Sequence, residues 1–296
     1  MQYDVIIVGG SYAGLAAGLP LARARRKVLV VDGGRRRNRR ADRSHGFLTR
    51  DGTRAAEIAA LGREQLLAYE TVSWLDGQAA GARRTADGYT VEIDGGEPRH
   101  ARRLVLATGV ADRLPELPGL AERWGTHVFH CPYCHGYELN RGRIGVLATS
   151  ALSMHLALLL PDWGPTTFFL NGAFEPDAAQ AAQLEARGVA VERERIARID
   201  GELDLAMRDG RTVRLDGLFV PTRIDAGGPV AAALGCEFDD SPYGRVLRTD
   251  AMKATSVPGV YACGDAARPG GSVPLAVADG AVAGAAAHQS LIFGGH

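Results

Sequence analysis

Lysine is almost missing from this chain: Lys27 and Lys253 are the only two, and arginine supplies the remaining basic residues. No physical requirement excludes lysine from every surface position, so the skew reads as a bias toward GC-rich codons. A surplus of either charge is missing too, because 34 basic residues face 34 acidic ones. That balance removes the global field on which nucleic-acid and membrane-surface partners rely, and neither partner is expected. Long hydrophobic runs are absent, since a stretch such as Leu156 to Leu160 falls far short of the roughly 20 residues that span a bilayer. The first residues run straight into Tyr3-Asp4-Val5-Ile6-Ile7-Val8 with no basic leader or cleavage site, so a signal peptide is not expected. A reducing, cytoplasmic setting follows, in which four cysteines do not make a disulfide framework. Low-complexity tracts and solenoid repeats are absent as well. What remains is 296 residues, 46% hydrophobic and 23% charged, enough for one large or two ordinary domains with a buried core.

Short β-branched runs alternate with alanine-rich stretches, which is the pattern of an α/β protein. Val5 to Val8, a helix over about Ala13 to Ala24, and Val28 to Val31 form one βαβ unit. A polar, arginine-rich loop over 33–51 precedes a helix from Thr53 to about Leu67, and strands are expected at Thr90 to Ile93 and Arg103 to Ala107. After Pro115 and Pro118 the grammar restarts with a strand at Ile144 to Leu147, a helix at Ala151 to Leu160 and a strand at Thr167 to Leu170. A helix over Ala178 to Ala186 and short strands up to Val220 complete a smaller α/β unit. Gly227-Gly228-Pro229 marks a return, after which Val257 to Ala262 and a small-residue helix from Leu275 belong with the first domain. The expected division is therefore 1–114, an inserted unit 115–226, and 227–296.

Gly9-Gly10-Ser11-Tyr12-Ala13-Gly14 lies where a strand gives way to a helix. Small residues there let the backbone turn tightly and approach a pyrophosphate held at the helix N-terminus. Asp32 ends the next strand, where a carboxylate can accept hydrogen bonds from an adenosine ribose. Ser11 stands where glycine is usual, which hinders close approach without forbidding it. A turn that only tightens strand-to-helix packing is the plainer alternative, and the combination of strand, helix and acid disfavours it. A nicotinamide could occupy such a site as well as a flavin. Thr108-Gly109 after one strand and Gly264-Asp265 after a late one favour FAD, because two-dinucleotide flavoproteins carry such turns in this order. The run Arg35-Arg36-Arg37-Asn38-Arg39-Arg40 reads first as a solvated loop, second as a neighbour of the FAD phosphates, and only distantly as a nucleic-acid patch.

His130-Cys131-Pro132-Tyr133-Cys134-His135-Gly136 is the most informative stretch. Two intervening residues let the thiols of Cys131 and Cys134 close and reopen a small disulfide ring, and a nearby helix start or histidine favours thiolate. Attachment of c-type haem would need export. A zinc site with His130 or His135 would want a second ligand pair, whereas Cys236 and Cys263 are isolated, so no metal is expected. A bland turn with two buried cysteines is the third alternative, disfavoured by the flanking proline, glycine and two histidines, and the redox reading outweighs all three.

Taken together, these motifs resemble the low-molecular-weight thioredoxin reductases over essentially the whole chain. The likeness is to the branch with a Cys-x-x-Cys-His-Gly-Tyr/Phe-Glu motif, which includes dithiol oxidases that close disulfides in natural products; Ser44 to Gly52 also looks like that branch. The resemblance implies two Rossmann-like dinucleotide-binding domains, the FAD domain being split by a smaller NADPH-domain-like insert, and a homodimer. It implies FAD contacts from Gly9, Gly10, Ser11, Tyr12, Ala13 and Gly14, from Asp32, Gly33, Asn38 and His45, and from Thr108, Gly109, Gly264, Asp265 and Val273. It also implies that Cys134 lies against the flavin, that Cys131 exchanges with substrate, and that His135 replaces the aspartate of the reductases as acid/base, a task that suits imidazole.

The second domain departs from this family. Where NADPH-using relatives have a glycine turn, this chain has Ala148-Thr149-Ser150-Ala151-Leu152-Ser153. The later strand ends Phe169-Leu170-Asn171-Gly172, with no basic residue to meet a 2′-phosphate. A β-carbon at the first turn position obstructs the approach that glycine permits, so NADPH is not expected to be held well. The expected activity is thiol/disulfide exchange between the cysteine pair and FAD, in the form of a dithiol oxidase using oxygen. A reductase of a thioredoxin-like protein, fed by NADPH or another donor such as ferredoxin, is the alternative enzyme. A redox-sensing binding protein is the alternative outside catalysis.

Overall fold

A computed structural model describes residues 2–226 and 228–294. Four adjacent apolar residues, Val5 to Val8, are buried together because their strand, β1 (Gln2–Val8), is covered on both faces. Val5 and Ile7 pack into one core cluster, and Ile6 and Val8 into the cluster on the opposite face. On one side β1 pairs in parallel with β2 (Val28–Asp32) and on the other with the strand Arg99–Leu106. Helices α1 (Tyr12–Arg23) and α2 (Ala55–Leu67) follow these strands. The helix expected from Thr53 starts at Ala55, because Thr53–Arg54 pairs with Arg43–Ser44 as a small ladder inside the stretch read as loop.

The chain separates into two units, one holding the residues up to Ala111 and from Ile224 onward, the other Asp112–Arg223. The crossings fall within the short strands Val110–Arg113 and Arg223–Ala226, which belong to one four-stranded sheet, and not at the flanking prolines and glycines. Gly227, the first residue of the expected return, lies outside the described residues.

The second unit is built on a parallel sheet in the order Val128–Phe129, Gly217–Phe219, Ile144–Leu147, Thr166–Phe169, Ala190–Glu192. It carries α3 (Pro132–His135), α4 (Met154–Leu159) and α5 (Ala178–Ala186), and a three-stranded antiparallel sheet over 196–214. The single helix expected over Ala151 to Leu160 is broken into a 3-10 turn at Ala151–Ser153, α4, and a second 3-10 turn at Leu160–Asp162 that contains Pro161.

Back in the first unit, α6 (Gly228–Leu234) leads to the strand Val260–Ala262 and the long α7 (Val273–Phe293). α7 lies directly on α1. A β-carbon on Gly280 would sit 2.1 Å from the carbonyl oxygen of Ala13, and one on Gly284 would sit 2.1 Å from that of Ala17. Strand register then decides where the chemistry can gather. Val8 is level with Val31 and with Leu106, and Leu106 is level with Ala262. The segments leaving these strands therefore emerge at one edge, beyond the strand ends where open parallel sheets bind ligands.

Candidate functional site

Three glycines at that edge are there because nothing larger fits. Gly9 has φ +108°, and a β-carbon on it would lie 2.2 Å from the Ala107 oxygen. On Gly10 it would lie 2.4 Å from the Trp74 ring, and on Gly14 only 1.8 Å from the Gly9 oxygen. Ser11 is the extended N-cap of α1, which keeps the tightest positions for glycine. Asp32 Oδ1 accepts hydrogen bonds from the Gly10 and Gly34 amides, at 3.2 and 3.1 Å, and so ties the phosphate-binding turn to the end of β2. Gly33 packs against the end of the Gln78 side chain, 2.5 Å from where a β-carbon would stand. This cradle fits the pyrophosphate and adenosine ribose of a dinucleotide.

The other residues expected to contact FAD also lie in the first unit. Gly264, at φ +67°, lies so close to Ala13 that a β-carbon would come 2.8 Å from the Ala13 methyl. Asp265 lies against Gly271 and receives the Arg37 guanidinium at 2.9 Å. The arginine-rich loop thus reaches the late Gly-Asp turn. The Tyr12 hydroxyl donates to the Ala55 oxygen at 2.9 Å, and the Asn38 amide donates to that hydroxyl at 3.1 Å. Burial pushes the Tyr12 phenol up in pKa, against a downward pull from Asn38. His45 lies 3.8 Å from Asp51, which also accepts from the Gly46 amide. Thr108 is exposed, Gly109 takes φ +66°, and Val273 opens α7.

Sequence reading missed the ion cluster beneath this turn. Asp279 on α7 is 4% exposed and receives Lys253 at 2.8 Å and both arms of Arg268 at 2.9 and 3.0 Å. Burial would raise its carboxyl pKa, but the Arg268 and Lys253 bonds outweigh that and hold it below the ordinary value. Helical spacing alone marks Asp279 only as a polar residue in an apolar helix. Burial also pushes the neighbouring Cys263 thiol up to about 12, with Asp279 adding to the rise, so this sulfur stays protonated.

In the second unit, Cys131 and Cys134 are joined in a disulfide across the start of α3, with Cα atoms 5.4 Å apart. Cys131 is the N-cap and Pro132 the first helical residue, where a missing amide proton costs nothing. His135 stacks on Phe129 with ring centroids 4.3 Å apart, and His130 stacks on Trp124 at 5.8 Å. Gly136 is required because a β-carbon there would lie 2.6 Å from the Trp163 indole. Among the described residues no cluster of three or more metal-binding side chains occurs, and no helix is long and apolar enough to cross a membrane.

The turn after the central strand of this unit is occupied by its own side chains. Ser153 Oγ, fully buried, accepts from the Thr149 amide at 3.0 Å, and Ser150 Oγ accepts from the Leu152 amide at 3.2 Å. Two amides of the turn, those of Thr149 and Leu152, are thus engaged by its own serines, and Ala148 and Ser150 stand where NADPH-using relatives carry glycine. The Leu152 bond makes Ser150 the N-cap of the 3-10 turn at Ala151–Ser153. One expectation needs correction: a basic group does lie near the end of the next strand. Arg195 brings its guanidinium to Gly172, where a β-carbon would be 2.6 Å from Nη2. The sheet supplies it from the segment after Ala190–Glu192, a placement that local sequence does not show.

The pattern of the pyridine nucleotide-disulphide oxidoreductase family matches residues 3–280. The thioredoxin reductase tcpT of Claviceps purpurea (strain 20.1) is 34% identical over 98% of this chain and 94% of its own. The crystal structure of an oxidoreductase from Agrobacterium tumefaciens superposes with a TM-score of 0.97 at 54% identity, covering 99% of this chain and 100% of that one. The crystal structure of HlmI gives 0.91 at 35% identity, over 98% and 93% of the two chains.

Proposed function

Because this chain belongs to the pyridine nucleotide-disulphide oxidoreductase family, as an FAD-dependent disulfide oxidoreductase of the thioredoxin-reductase-like kind, we propose that it oxidises small dithiols at Cys131–Cys134 and passes the electrons to oxygen without NADPH. The observation that carries this reading is the second-unit turn, whose amides are taken by Ser150 and Ser153. A dithiol needs no such turn. It reaches the disulfide by exchange.

One substrate thiolate attacks Sγ of Cys131, the Cys131–Cys134 bond breaks, and Cys134 leaves as thiolate. The second substrate thiol loses its proton and attacks the substrate sulfur of that mixed disulfide, forming the substrate disulfide and releasing Cys131 thiolate. Two electrons have then moved to the pair. A ring nitrogen of His135, next in sequence to Cys134 and held flat against Phe129, takes a proton released by the substrate thiols. FAD, when bound, would supply the two-electron acceptor through which the cysteine pair returns to the disulfide, with oxygen as the final oxidant in this reading. In the first unit, Gly9, Gly10, Gly14 and Asp32 would hold its pyrophosphate and adenosine ribose, and Asp265, paired to Arg37, would be the acceptor offered to the ribityl hydroxyls. A homodimer in the cytoplasm is part of this reading.

A second reading, reduction of a disulfide partner by a pyridine nucleotide, draws support from Arg195, which could meet a 2′-phosphate. The test is turnover in air. Dithiothreitol should drive oxygen uptake with peroxide formation, and NADPH should not be consumed. Rapid NADPH oxidation at micromolar concentration would replace the first reading with the second.

A further inference from the structure

Two large aromatic side chains on the disulfide segment are exposed. Tyr133, between the cysteines, is 71% exposed, and Tyr137 is 85% exposed. Gly136 keeps helical angles between α3 and the following 3-10 turn, so the four-residue spacing puts both rings on one side of the chain. Trp163 holds this segment from beneath: Tyr133 meets it edge-on at 5.4 Å, and Gly136 packs against the same indole. The segment that carries both phenols is therefore held against Trp163 while both residues stay largely exposed.

We propose that Tyr133 and Tyr137 determine specificity by stacking on the flat, apolar body of a small dithiol while its sulfurs exchange with Cys131–Cys134. The proposal rests on the dithiol reading above and names the kind of dithiol. Area favours a small molecule over a protein. A tyrosine offers about 150–250 Å², so at these exposures the pair presents roughly 250–400 Å², against about 800 Å² per partner in a stable protein interface. A single ring system is covered by that area, and a folded partner would leave most of its contact elsewhere. Tyrosine also suits the task because its ring orders at low entropic cost and its hydroxyl stays wet.

The test compares two dithiols as reductants of the flavin under argon: dithiothreitol, which has no apolar body, and 1,2-benzenedimethanethiol, which has a ring. The ratio of their half-saturating concentrations measures the preference. The parent enzyme should favour the ring-bearing dithiol by about tenfold or more, and Tyr133→Ala and Tyr137→Ala should each cut that preference about two- to tenfold. Tyr137→Phe, which keeps the ring, should retain it. Equal half-saturation in the parent, or an unchanged ratio in both alanine variants, overturns the proposal while dithiothreitol still bleaches the flavin. Bleaching by neither dithiol overturns the dithiol reading and this surface with it. An unchanged ratio with slower exchange against a thioredoxin-like disulfide assigns the aromatic face to a protein and also overturns it.

Discussion

Two of the four cysteines are poised to exchange, and the other two are held back by burial. The Cys263 thiol is pushed up to about 12, and burial raises Cys236 as well, so neither supplies thiolate near neutral pH. Cys131 and Cys134 carry the disulfide. If Cys131 is the exchange thiol, Cys134→Ser should trap a mixed disulfide with a small disulfide reagent, seen as added mass on Cys131. Cys131→Ser should form its adduct at least about tenfold more slowly, and both variants should lose turnover. Equal trapping rates would refute the division of labour. His135→Ala should slow dithiol turnover by roughly 10²-fold and leave flavin content unchanged, a loss typical of a missing proton acceptor. The pair was legible in the sequence because two-residue spacing is local. The Arg37–Asp265 bond and the Arg195–Gly172 approach were not, since each joins residues that only the folded sheets bring together.

At the scale of elements, what could be read were strands and helices whose burial follows one period. β1 reads as a buried strand from four apolar residues, and Ile144–Leu147 and Ala178–Ala186 form at the expected places. The strand Ala79–Thr85 was missed because Ala-Ala-Gly-Ala-Arg-Arg-Thr lacks the β-branched signal and is ordered by pairing with Gly88–Ile93. α7 was recognised as a small-residue helix, yet its two purposes come from packing: Gly280 and Gly284 admit α1, and Asp279 anchors Lys253 and Arg268. Asp279→Asn should lower stability near pH 7 by on the order of 2–3 kcal/mol, less than the about 3–5 kcal/mol of a fully buried pair because Arg268 keeps some solvent contact. The folded carboxyl is held below the ordinary value of 3.8, so its stabilisation is complete above about pH 5 and is lost as pH falls through the folded pKa. Urea unfolding should show the gap between parent and variant closing in acid. A gap of constant size from pH 7 to pH 3 would contradict that role.

The whole molecule pairs one unit that has a glycine-lined dinucleotide cradle with another that has the same strand-turn-helix outline and a turn without glycine. The contrast between Gly9-Gly10 and Ala148-Thr149 was readable as text. The bond between Ser153 and Thr149 was not, because a serine one turn downstream is an ordinary helix residue until Ser153 Oγ is seen on the Thr149 amide. The central claim is that electrons enter from a dithiol at the cysteine pair and not from a pyridine nucleotide at the second unit. The direct measurement is flavin absorbance near 450 nm in the purified holoprotein under argon, with NADPH added first and dithiothreitol second. The account predicts little change with NADPH over minutes, followed by full bleaching with dithiothreitol. Rapid bleaching by micromolar NADPH, or none by dithiothreitol, would contradict it.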